Sequence, residues 1–382
     1  MNSNLLNNLN TPCYVVDEKK LVKNLECLNY VMRQTGCDIL LAQKAFSMYY
    51  VYPLIGKYLS GTAASGLYEA RLGREEMSEK QVHVFSPAYK EDEIKELADI
   101  ADHIIFNSFA QWEKYKKIVC GSNKVSCGIR INPEYSEVET EIYNPCSKSS
   151  RLGVRISEFE KNEDKLDGIE GIHFHTLCEQ GEDVLERTLV HVEERFGKYL
   201  KNMKWINFGG GHHITRDDYD VEALIRCINR FQEKYDIHVY MEPGEAVALN
   251  AGTLVSTVLE VQEENDGISN VILDTSAACH MPDVLEMPYR PNIKGSGKSK
   301  EKAYTYRFGG TTCLAGDIIG EYSFDSRLKP GDKVEFEDMA IYTMVKNNTF
   351  NGMPLPDIDL LDREDNIHVV KKFGYEDFKM RL

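Results

Sequence analysis

Eight short β-rich runs alternate with amphipathic helical stretches between residues 38 and 242, and this alternation constrains the fold more than any other feature of the chain. The runs are Asp38–Gln43, Gly61–Ser65, Gln81–Ser86, His103–Asn107, Val125–Asn132, Ile169–Thr176, Lys204–Gly209 and Ile237–Glu242. Between several of them, apolar residues recur at three- and four-residue spacing, the mark of a helix with one buried face. Leu21, Leu25, Leu28 and Met32 form one stripe, Ile94, Leu97, Ala98 and Ala101 a second, and Val221, Leu224, Ile225, Ile228 and Phe231 a third. Eight strands alternating with helices are expected to close into a (β/α)8 TIM barrel, with a doubly wound open sheet as the competing layout.

After Glu242 the texture changes. Runs such as TLVSTVLEV, NVILD, AYTYRFGG and DKVEFEDMAIYTMV are β-rich, separated by a Gly/Ser/Lys loop at Gly295–Lys300 and a KPGD turn at Lys329–Asp332. The division expected is a barrel over residues 20–253 and a C-terminal β-rich domain of barrel or sandwich type, formed by 254–382 together with residues 1–19. A chain of 382 residues has length enough for two such cores. No apolar run approaches the roughly 20 residues a membrane helix needs, and the N-terminus lacks a signal-type core, which points to a soluble cytoplasmic protein without a membrane partner. The formal charge of −16 disfavours nucleic acid. Ten cysteines without paired metal spacing point to free thiols and no metal.

In barrels of this kind the working residues sit at the C-terminal ends of strands. Lys44 ends the first run (LLAQKAF), His173 and His175 the sixth (GIHFHTLCE), Gly209, Gly210 and Gly211 follow the seventh (INFGGGHH), and Glu242, Gly244 and Glu245 the eighth (MEPGE). Singly, each has an ordinary explanation: a solvated lysine, a packed histidine, a glycine turn, a Glu-Pro-Gly turn. Together they supply what pyridoxal 5′-phosphate (PLP) requires. A lysine carried inward by an apolar run can form a Schiff base with the aldehyde, and a glycine run can bring backbone N–H groups to a phosphate. An imidazole can lie on the ring, and a carboxylate can keep the pyridine nitrogen protonated.

Lys44, His175, Gly209–Gly211 and Glu242, in that order and followed by a β domain, resemble the fold-type III (alanine-racemase-like) PLP-dependent decarboxylases. The resemblance continues in TTCLAGD, where Cys313 and Asp317 match a loop that the family offers to the partner subunit, and in AIYTMV, where Tyr342 matches a phosphate-binding tyrosine. DTSAACHMPDVLEMPYRP and YTMVKNNTFNGMPLPDI, with the tail FGYEDFKMRL, resemble the carboxynorspermidine decarboxylase group. The resemblance implies a homodimer with shared sites that converts carboxynorspermidine to norspermidine and carboxyspermidine to spermidine. It assigns Lys44 to the cofactor, His175 to the ring face, Glu242 to the pyridine nitrogen, and the carbon-directed proton to Cys313; Gly244 joins the cofactor contacts.

The substrate end departs from the wider family. Glu245 stands after Glu-Pro-Gly where diaminopimelate decarboxylases carry Arg, a reversal that suits a distal amine. Thr176 and Leu177 stand where the family has Gly-Ser, so the serine–phosphate contact does not carry over. Glu179 is either a second carboxylate for the polyamine arm or a solvated surface group. His280, Asp283 and Asp317 are further candidate substrate contacts, and Arg290 either holds the substrate carboxylate or makes a structural ion pair. Rival readings are a diaminopimelate, ornithine or arginine decarboxylase, a racemase, a non-catalytic PLP-binding protein, a pseudo-enzyme, and a metal-dependent barrel hydrolase using His173, His175, His212 and His213.

Overall fold

The computed structural model describes residues 3–122, 124–263 and 267–382, and divides into two compact units, Lys23–Val247 and Met1–Val22 with Ala248–Leu382. Strand β1 (Cys13–Asp17) precedes the first long helix. Eight strands follow: β2 (Asp38–Ala42), β3 (Gly61–Ala64), β4 (Gln81–Phe85), β5 (His103–Phe106), β6 (Ser126–Arg130), β7 (Gly171–His173), β8 (Trp205–Asn207) and β9 (His238–Met241). β2 to β9 pair in chain order, all parallel, and β9 returns to β2 through Asp38↔Tyr240 and Ile39↔Met241. The sheet is a closed barrel, which settles the choice against an open doubly wound sheet.

The barrel interior is filled by side chains. Leu40, Ala63, Ile105, Trp205 and Tyr240 form one buried cluster, with Phe85 packed against it. Gly128, Gly171 and Trp205 lie in register on β6, β7 and β8. A Cβ on Gly171 would come 2.0 Å from the Trp205 ring, and one on Gly128 2.3 Å from it. The indole therefore occupies the volume that two strands leave by having no side chain, and its N–H donates to Ser126 Oγ at 2.8 Å.

The helical stripes wrap this barrel. Helix Val221–Tyr235 buries Leu224, Ile225, Ile228 and Phe231, and its N-cap Asp220 accepts from the Ala223 N–H at 2.8 Å. Such a cap stabilises a helix start by about 1 kcal/mol. Helix Glu91–Ile100 buries Ile94, Leu97 and Ala98. In helix Glu18–Thr35 the stripe shifts by one residue at its end: Val31 is fully buried and Met32 only half-buried.

The second unit holds β10 (Gly252–Gln262), β11 (Ser269–Leu273), β12 (Tyr304–Gly309), β13 (Ile318–Phe324), β14 (Lys333–Glu337), β15 (Asp357–Leu361) and β16 (Ile367–Lys371). Its mixed sheet runs β13-β12-β11-β10-β1-β15-β16, with β14 also on β10. β10 shifts register between Val258 and Glu260 and so serves β1 and β14 with one half and β11 with the other. Tyr14, Leu254, Phe308, Tyr322 and Phe336 anchor its core. The β-rich run over DKVEFEDMAIYTMV is shorter than its composition suggests. The strand stops at Glu337, because Asp338 and Tyr342 adopt left-handed φ values of 56° and 51°, and Met344–Lys346 is a 3-10 turn. Among the described residues, no helix is long and apolar enough to cross a membrane.

Candidate active site

Lys44 lies in the turn that follows β2. Protein surrounds it on all sides at a distance, yet its own side chain is exposed, so it sits in a recess open to solvent within the barrel unit. Burial and the Arg130 cation both lower its pKa, against the pull of Glu242, Glu245 and Glu69. A less basic amine spends more time neutral, the form that attacks a carbonyl.

Glu242, at the end of β9, is the most organised group of the site. Asn207 Nδ2 donates to its Oε1 at 2.7 Å, and His173 Nε2 lies 3.3 Å from its Oε2. Burial works against its ionisation, but His173, Asn207 and the nearby Lys44 charge hold the carboxyl below the ordinary range. Asn207 also accepts from the Gly209 N–H at 2.8 Å, and the Glu242 N–H donates to Gly209 O at 2.8 Å, tying strand end to glycine run. His173 stacks on Phe85, with centroids 5.5 Å apart, and burial holds its pKa down.

His175 is half-buried, and burial followed by the Lys44 and Arg130 cations keeps it neutral. Its Nδ1 accepts from the Gly210 N–H at 2.9 Å. Two N–H groups of the glycine triplet, those of Gly209 and Gly210, are thus committed within the barrel. Gly211 has φ +81°, and a Cβ there would sit 2.0 Å from Leu177 O, so this close approach requires glycine. Gly244 is similarly confined, a Cβ there meeting Ala45 Cβ at 2.5 Å.

Glu245 begins the short helix Glu245–Ala248, and its Oε2 lies 3.8 Å from His213 Nε2. Glu179 is exposed, with a left-handed φ of 54°. The barrel unit thus brings together Lys44, His173, His175, Gly209–Gly211, Glu242, Gly244, Glu245 and Glu179. It also contributes two groups that the sequence reading passed over. Arg130 ends β6, donates to His175 O at 3.2 Å and lies 4.5 Å over the Phe85 ring; burial lowers its pKa to about 10. Asn207 ends β8. A polar residue closing an apolar strand is the signal that singled out Lys44, and it applies equally to both.

The remaining candidates lie in the other unit. Asp317 is buried and accepts from Ser276 Oγ (2.8 Å), Thr312 Oγ1 (2.6 Å) and the Ala278 N–H (3.2 Å), while Cys313 in the same loop is exposed. His280 is fully buried with both ring nitrogens engaged, by Thr275 Oγ1 at 2.8 Å and Pro354 O at 2.9 Å. Asp283 pairs with Lys346 at 2.5 Å, and Arg290 lies 4.4 Å over the Tyr322 ring and donates to Glu321 O at 3.3 Å. These partners occupy His280, Asp283 and Arg290 within their own unit. Among the described residues no group of three His, Cys, Asp or Glu is arranged to hold a metal ion.

The family model for "Pyridoxal-dependent decarboxylase, C-terminal sheet domain" matches residues 13–340. The chain belongs to the pyridoxal-dependent decarboxylase family. This decarboxylase is 45% identical to the carboxynorspermidine/carboxyspermidine decarboxylase of Campylobacter jejuni, over 98% of each chain. It is 42% identical to the carboxyaminopropylagmatine decarboxylase of Synechocystis, over 99% of this chain and 96% of the relative. The crystal structure of the Campylobacter jejuni carboxynorspermidine decarboxylase complexed with norspermidine superposes with a TM-score of 0.91 at 43% identity, covering 98% of this chain and 100% of that one. The diaminopimelate decarboxylase of Helicobacter pylori, at 18% identity and a TM-score of 0.82, shares the fold. The decarboxylase is a carboxy-lyase of fold-type III architecture.

Proposed function

We propose that this decarboxylase holds PLP on Lys44 and releases CO2 from carboxynorspermidine and carboxyspermidine, giving norspermidine and spermidine for polyamine synthesis in the cytoplasm. The observation that carries the reading is a less basic Lys44 within the field of a Glu242 carboxylate that Asn207 and His173 hold in place. These groups fit the cofactor: Lys44 for its aldehyde, Glu242 for its pyridine nitrogen, His175 for its ring face. The glycine run, in which the Gly211 N–H has no partner among the described residues, is assigned to its phosphate, as is Tyr342 by the family resemblance. When bound, PLP supplies a sink for the electron pair left as CO2 departs.

The chain's own groups do the rest. Glu242 keeps a proton at the pyridine nitrogen, Arg130 holds the His175 carbonyl, and the Gly210 N–H holds the imidazole through Nδ1. Glu245 and Glu179 take the distal ammonium groups, and the charge at Glu245 repels a distal carboxylate such as that of diaminopimelate. Cys313, exposed on its loop while Asp317 anchors that loop, is assigned to deliver a proton to the substrate carbon in a second copy of the chain.

CO2 release should be measured with carboxynorspermidine, carboxyspermidine, carboxyaminopropylagmatine, diaminopimelate, ornithine and arginine in parallel. Turnover of the first two above all others is expected. The Synechocystis relative makes carboxyaminopropylagmatine the competing substrate, and preference for it, or for diaminopimelate, overturns the substrate assignment while leaving the family intact.

A further inference from the structure

One buried side chain near Glu245 has no role in the scheme above. The loops after β7 and β8 run side by side: the Gln180 N–H donates to Gly211 O at 3.0 Å, and the His213 N–H donates to Gln180 O at 3.2 Å. This pairing sets His213 opposite the Glu179 segment, and the turn after β9 brings Glu245 Oε2 to 3.8 Å from its Nε2. His213 is only 8% exposed, and neither of its ring nitrogens has a hydrogen-bond partner among the described residues. Interiors rarely keep a polar ring unmatched, and those that do commonly await a ligand or water.

We propose that His213 is a third member of the distal-amine subsite, a neutral imidazole that accepts an N–H from the same ammonium that Glu245 receives. The inference rests on the substrate reading above and adds a specificity-determining residue to it. The 3.8 Å gap is too long for a direct imidazole–carboxylate bond, but an ammonium about 2.9 Å from each atom can donate to both. A cationic imidazole has no acceptor and repels the ammonium, so the subsite works only while His213 is neutral.

The groups around it set that state. Burial disfavours the cation and Arg216 opposes it, whereas Glu179 and Asp218 favour it; the net direction is down from the ordinary histidine value. Cys178, pushed up to about 11 by burial, Glu245 and Glu179, stays a thiol and adds no charge. A carboxylate alone reads only positive charge. A carboxylate beside a fixed acceptor also reads the direction of a second N–H, which favours an amine over a tertiary or quaternary nitrogen.

The test compares PLP-loaded wild type, His213→Phe and His213→Gln. The readouts are kcat and KM for carboxynorspermidine across pH 6–9, and norspermidine binding by calorimetry. Phe keeps the volume and removes the acceptor, whereas Gln restores an acceptor that does not titrate. His213→Phe should raise KM and weaken norspermidine binding by roughly tenfold to a hundredfold, with kcat changed far less. His213→Gln should recover most of that loss and flatten the acidic limb of kcat/KM. Unchanged KM and norspermidine affinity in His213→Phe overturn the proposal, as does an equal loss in both variants, which marks a packing role. If His213→Phe fails to fold, His213→Leu replaces it under the same criteria. A wild type inert towards carboxynorspermidine overturns the substrate reading instead, so the two failures are distinguishable.

Discussion

Lys44 and Glu245 share one recess but act on different ends of a substrate, and single substitutions should separate their effects. Lys44→Ala should abolish both CO2 release and the absorbance of lysine-bound cofactor while the apo-protein melts as wild type, because an exposed side chain is lost and no core contact with it. Retained absorbance in that variant would remove Lys44 from its role. Glu245→Gln keeps shape and hydrogen bonding but deletes a charge that is nearly buried, so KM should rise roughly tenfold to a hundredfold with kcat falling less. Steady-state kinetics with carboxynorspermidine decides this, and a pure kcat effect would place Glu245 at the reacting end. At this scale the sequence disclosed the charged residues that close apolar strands, Lys44 and Glu242 foremost. It did not disclose their supports. Asn207 and Arg130 act through hydrogen bonds to Glu242 and to His175 O, and such pairings depend on which strand ends become neighbours once the barrel closes.

Among elements, β6, β7 and β8 are tied together by the Gly128–Gly171–Trp205 layer. Gly171→Ala places a methyl against the indole and should destabilise the fold by about 1–3 kcal/mol in denaturant unfolding. Adding Trp205→Leu should relieve part of this, whereas strictly additive losses would show that the ring is not what excludes the methyl. All eight barrel strands were legible, since they are short β-rich runs bounded by turn residues, with helical stripes between several of them. The end of β14 was not. AIYTMV has strand-like composition, but the left-handed residues Asp338 and Tyr342 break the extended backbone, and neither is a glycine that would have announced it. The buried stripe of helix Glu18–Thr35 blurred at its end for a related reason: Val31 and Met32 are adjacent apolar residues, and only packing decides which one goes in.

For the molecule as a whole, pH and self-association give the clearest tests. His103, His212 and His280 are held near 4 by burial, and His83 well below its ordinary value. The unfolded chain takes up protons at these sites below about pH 6.5, whereas the folded chain resists until near pH 4. Their contribution to stability is therefore complete above about 6.5 and is lost as the pH falls below it. Asp359, pushed up to about 6 by burial and Asp357, works in the opposite direction over part of that window. The histidines outnumber it, so the melting temperature should hold from pH 7.5 to about 6.5 and fall from there to pH 5, and a profile flat throughout would refute this balance. If Cys313 serves a second copy, mixing inactive Lys44→Ala and Cys313→Ala proteins should restore about a quarter of wild-type activity, the share expected from random pairing. No recovery in that mixing assay would return Cys313 to its own chain or to no role.

The indole laid over two glycine strands makes the barrel a vessel filled from within. With Leu40, Ile105 and Tyr240 packed around Trp205, side chains fill the tube, and on the function proposed above substrate, CO2 and amine share one mouth. Turnover is then a matter of traffic through one doorway, in which a lingering product bars the next arrival. The wall opposite the doorway is free to be built for rigidity alone. Changes of diet, from one carboxylated amine to another, can therefore be written in the loops around the mouth while the plug stays as it is.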